Sequence, residues 1–91
     1  MTKAEIVQII SEKTGIERKM ALNVVEAFME SVKGSLENGE EVFLRGFGSF
    51  VIKHRAEKTA RNIGKNVTMI VPAHNIPSFK PAKEFMEMVK K

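Results

Sequence analysis

The chain has 91 residues, 43% of them hydrophobic, which suits one small domain and leaves no room for a second core. Cysteine is absent, excluding disulfide staples and thiolate metal sites, and no apolar run reaches the roughly 20 residues needed to cross a bilayer. The net charge of +4 is polarised: residues 1–40 carry five Lys/Arg against seven Glu, a net −2, and residues 41–91 carry ten against four, a net +6, which suits a polyanion bound on one side.

The amino-terminal MTKAEIV lacks the apolar core of a signal peptide, so the expected location is the cytoplasm, with no membrane partner. Thr2 followed three residues later by Glu5 is a capping-box arrangement, and Ile6, Ile9 and Ile10 form an apolar stripe, predicting a first helix over 3–14. Gly15 is placed to end it in the left-handed conformation. Met20, Val24, Phe28, Val32 and Leu36 repeat every four residues and predict a second helix over 18–38, roughly 30 Å long at 1.5 Å per residue. Glu17 is a weak cap for its start, and Asn38 and Gly39 mark its end. Two helices joined by a short connection form a hairpin whose apolar faces require a lid.

That lid begins at GEEVFLRGFGSFVIKHRAEK. Val42, Phe43 and Leu44 predict a short strand, and Arg45 to Gly48 a turn. A long extended segment follows, with Phe50, Ile52, His54, Ala56 and Lys58 on one face and Val51, Lys53, Arg55, Glu57, Thr59 and Arg61 on the other. The return strand is expected over 67–71, ended by Pro72, which has no N–H for a central ladder. HNIPSFKP at 74–81 reads as extended, and Pro81 precedes a third helix over about 82–90 with Phe85, Met88 and Val89 on its apolar face. The fold class expected is α+β: a helical part over 1–40, a three-stranded antiparallel saddle over 41–80 with an arm at about 53–72, and a carboxy-terminal helix over 81–91, together one domain.

Residues 42–52 offer more large apolar groups than two short helices enclose, and Phe28 and Phe79 compete for the same volume. An intertwined two-fold dimer sharing one core resolves this and places two arms symmetrically. Residues 58–72 contain no acid. Cations at a two-residue period suit a strand laid along a phosphate backbone, and a two-stranded ribbon suits a DNA groove. Ile63 near the arm's end gains nothing from solvent, whereas an aliphatic wedge between base pairs kinks a duplex.

GFGSF at 46–50, the basic series Lys53, Arg55, Lys58 and Arg61, ARN at 60–62 and IPSFKPAKEF at 76–85 together resemble the HU/IHF family of bacterial histone-like DNA-bending proteins over essentially the whole chain. The resemblance implies a non-enzymatic nucleoid protein without cofactors. It also implies a homodimer or a heterodimer with a paralogue, whose arms follow the minor groove of double-stranded DNA, with bent, nicked or gapped forms preferred. Carried over by position, the implied DNA contacts are Lys53, Arg55, Lys58, Arg61 and Lys65 on the arm and Lys3, Lys80 and Lys83 on the body; Arg61 and Asn62 are the candidates to touch base edges, and Arg45 is a further DNA-binding candidate. The intercalating position, a proline in the family, is Ile63 here, which lacks proline's fixed φ. The return strand Val67, Met69, Ile70, Val71 is also more apolar than is common in the family.

Other function classes fit less well. His54 and His74 lack acidic partners at catalytic or metal-ligand spacing, and Glu26 and Glu30 share a helix face as solvated acids commonly do. An RNA-binding module needs an aromatic platform, whereas the phenylalanines here read as core. A protein-interaction hairpin does not explain acid-free arms. A sequence-preferring bending factor of the IHF type remains the nearest alternative.

Overall fold

The computed structural model describes residues 1–62, 64 and 67–90. Helix α1 spans Lys3–Thr14. The Thr2 hydroxyl accepts the Glu5 N–H at 3.3 Å and donates to the Glu5 carboxylate at 3.3 Å, so the box closes on the hydroxyl rather than on the Thr2 backbone. Gly15, at φ 75°, ends the helix with its N–H donating to the Ser11 carbonyl. Helix α2 spans Arg18–Glu37, without a side-chain cap at Glu17 and with Asn38 as its C-cap, one residue short of the expected end. Helix α3 is Lys83–Val89.

The strands are β1 (Val42–Leu44), β2 (Gly48–Arg55), β3 (Lys58–Asn62), β4 (Val67–Val71) and β5 (His74–Pro81). They form a three-stranded antiparallel sheet in the order β1-β2-β5 and a two-stranded β3-β4 ribbon. The segment expected only to be extended, HNIPSFKP, is the third strand of the main sheet, and both long strands are interrupted, at 56–57 and 72–73. Pairing runs from Gly48↔Pro81 to Arg55↔His74 and resumes from Lys58↔Val71 to Asn62↔Val67. The offset is the same on both sides, so two residues drop out on each strand and no bulge intervenes. Pro72 falls opposite Glu57 in that register and lacks the N–H a ladder needs, which accounts for the break.

The turn between β1 and β2 is closed by the Phe47 N–H donating to the Leu44 carbonyl at 3.0 Å. The Ala82 N–H donates to the Phe47 carbonyl at 2.9 Å and ties the start of α3 to this turn. Phe47, Phe50, Phe79 and Phe85 form one cluster, with centroids 5.1 Å apart for Phe47 and Phe79, 5.0 Å for Phe50 and Phe79, and 5.5 Å for Phe47 and Phe85.

This core is open. Among the described residues only Val7 and Ala21 are buried hydrophobics, while Phe28, Phe47 and Phe79 are 45%, 45% and 37% exposed. The radius of gyration is 18.6 Å, against about 12 Å for a compact chain of this length. The accessible surface is 7764 Å², against roughly 5,300 Å² for a folded monomer of this mass. Part of the excess is the arm; the rest is apolar surface on α2 and the aromatic cluster that a single copy does not enclose.

Candidate nucleic-acid interface

Strand alternation divides β2 into two faces. Phe50 lines a groove with Phe28, Met29 and Val32, and Ile52 lines another with Lys33 and Leu36, so the even-numbered residues face α2. Ser49, Val51, Lys53 and Arg55 alternate to the opposite face. Register adds Lys80, paired with Ser49, and Ile76, paired with Lys53. Arg45, in the turn, joins Ser49, Val51 and Lys80 along a shallow groove on that side. The helix-free side of the sheet therefore gathers Arg45, Lys53, Arg55 and Lys80, all exposed.

The unchanged offset keeps Arg61, paired with Thr68, in alternation with Lys53 and Arg55, as a bulge-free arm requires. Lys58, paired with Val71, is exposed but belongs to the other alternation, with Ala60 and Met69. Asn62 pairs with Val67 at the far end of β3. Ile63 and Lys65 lie outside the described residues. Lys83 opens α3, directly beyond the Phe47–Ala82 hydrogen bond.

Lys3 is not brought to the sheet. It lies with Arg18 and Lys19 along the groove between α1 and α2, ion-paired with Glu26, both side chains about half exposed. A surface pair of this kind contributes only about 0–1 kcal/mol, so Lys3 can exchange carboxylate for phosphate at small cost. Both histidines have structural partners: His54 Nδ1 lies 3.0 Å from Asn75 Oδ1, its cross-strand neighbour, and His74 Nδ1 lies 2.9 Å from the Pro72 carbonyl. Among the described residues no cluster of three His, Asp or Glu could hold a metal ion.

Phe43, one of the apolar groups of 42–52 that the helices do not enclose, is 72% exposed, because its neighbours Val42 and Leu44 turn inward and alternation turns it outward. Odd-even position within the three-residue strand was the available signal, and it was masked by three consecutive apolar residues.

The family model described as bacterial DNA-binding protein matches residues 1–90. The chain belongs to this family. Among its relatives, DNA-binding protein HU of Clostridium pasteurianum is 40% identical over 91 residues, covering all of both chains. The integration host factor alpha subunit of Mannheimia haemolytica is 38% identical over 90 residues, covering 99% of this chain and 91% of that one. The fold matches that of Anabaena HU in a cocrystal with DNA, with a TM-score of 0.94 and 36% identity over 99% of this chain and 98% of that chain. The helix pair, the three-stranded sheet with its arm, and the terminal helix are thus the HU/IHF fold.

Proposed function

We propose that two copies of this chain join through their open cores and bind double-stranded DNA without catalysis, bending it as an architectural protein of the nucleoid. The observation that carries this reading is the bulge-free hairpin, whose offset keeps Lys53, Arg55 and Arg61 in alternation with the cationic side of the sheet. The body cations Arg45 and Lys80 hold the middle of the duplex, with Lys83 and, after leaving Glu26, Lys3 beside them. The arms extend along the minor groove, where Arg61 and Asn62 reach base edges and Ile63 enters the stack.

Minor-groove edges distinguish A·T from G·C and little more, so recognition relies on shape and deformability. Bending 20–30 base pairs by 40–90° costs about 1–6 kcal/mol by smooth elastic estimates, and a gap removes much of that cost. Gapped and nicked duplexes are therefore the preferred ligands. The resemblance to both HU and integration host factor alpha supports pairing with an identical chain or with a paralogue.

The test is end-to-end energy transfer on a labelled duplex, intact and gapped, at matched salt. Tighter binding to the gapped form and shortened end-to-end distance in both are expected. Equal affinity with an unbent duplex would end the bending mechanism.

A further inference from the structure

Phe43 occupies an unusual position. Val42 and Leu44 are half-buried beneath the sheet, while the Phe43 ring between them is 72% exposed. It pairs with Ser49, which pairs in turn with Lys80, so the ring stands on the cationic, helix-free side. Together with Val51, diagonal to it across β1 and β2, it lines a groove of about 520 Å³ that also carries Arg45, Ser49 and Lys80.

The open core that a second copy would cover lies on α2 and the aromatic cluster, across the sheet from this ring. Leaving a phenyl ring in water forgoes about 1.5–3 kcal/mol relative to full burial, so the site favours an occupant with apolar surface. The flanking Arg45 and Lys80 require that occupant to be anionic. Glu41, the acid two residues before Phe43, is turned to the strand edge, where its carboxylate accepts the Ile52 N–H at 3.0 Å. Duplex DNA offers both properties within a few ångströms: charged phosphates separated by deoxyribose and groove walls.

We infer that Phe43, backed by Val51, is a DNA contact of the body, packing its ring against deoxyribose and the minor-groove wall while Arg45 and Lys80 hold the flanking phosphates. This rests on the DNA-binding reading and assigns the body a salt-insensitive part of the affinity. Phosphate contacts weaken as salt displaces them, whereas burial of a ring against sugar does not depend on counterion release. Such a contact is also tolerant of sequence, because every nucleotide presents the same sugar.

The test is a salt series of dissociation constants on an intact duplex for the wild-type protein, Phe43→Ser and Phe43→Leu, with the mass of the free protein measured in parallel. Phe43→Ser is expected to weaken binding about 3- to 10-fold at every salt concentration, the loss of about half of one ring's full burial, with an unchanged log–log slope. Phe43→Leu retains most of the affinity. Unchanged affinity in Phe43→Ser, or a loss accompanied by a shallower slope, would overturn the assignment. Dissociation of the protein oligomer in Phe43→Ser would overturn it too, by placing the ring in a protein contact. Failure of the wild-type protein to bind would instead remove the DNA reading itself.

Discussion

A Cβ built on Gly48 would lie 2.6 Å from the Lys80 carbonyl oxygen and 2.6 Å from Phe79 Cζ. The first neighbour is backbone in the paired strand and the second belongs to the aromatic cluster, so neither yields without disturbing the saddle. Its φ of 158° is a further obstacle to a side chain. Gly48→Ala is therefore expected to destabilise the protein by about 1–3 kcal/mol, the usual cost of overpacking. Urea unfolding at fixed protein concentration measures this, and an unshifted midpoint would show that the strands do not approach so closely. By contrast Gly15, also at positive φ, has open space where a side chain would go. The GFGSF stretch thus earns its glycine at 48 through packing on Phe79, a reason that turn propensity alone did not supply.

At the scale of elements, the arm depends on keeping its alternation across the gap at 56–57. Arg61→Ala is expected to weaken DNA binding and to make the log–log salt dependence shallower by about one unit per arm, the signature of a lost phosphate contact. An unchanged slope, read from the same salt titration, would take Arg61 off the backbone. Val67, Met69 and Ile70 on the return strand are 50%, 54% and 66% exposed, so the ribbon combines cations with apolar surface along its length. Much of this organisation was legible beforehand. Thr2, Gly15 and the four-residue stripe of α2 locate the helices because capping and periodicity are local. The split of the long strands was not legible, since Pro72 interrupts the ladder only through its position opposite Glu57, and that partner is known only once register is known. The same holds for Lys58, whose alternation separates it from Arg61 although both belong to one basic series, and for Lys3, whose ion pair with Glu26 joins residues 23 positions apart.

The whole molecule is an extended protomer, 57 × 32 × 29 Å, with its largest apolar surfaces unenclosed. Phe28, Met20 and Val24 on α2 are 45%, 56% and 59% exposed, beside a half-exposed aromatic cluster. Folding and association should then be one transition. A hundredfold increase in protein concentration is expected to raise the melting midpoint by on the order of 5–10 °C, as mass action requires when two chains form one core. Differential scanning calorimetry across that range decides it, and a concentration-independent midpoint would mean that a single chain is stable alone. The crowding of apolar residues at 42–52 announced this incompleteness, whereas the outward turn of Phe43 within that same stretch did not follow from composition.

The constant pairing offset from Gly48↔Pro81 to Asn62↔Val67 carries a consequence for how such a protein can diversify. Inserting or deleting one residue on a single strand would invert every side chain beyond it relative to the saddle. Reach toward the ligand can therefore lengthen or shorten, with its cations kept on the same side, only by matched changes of two residues in each limb, leaving the loop as the place where unpaired change is tolerated.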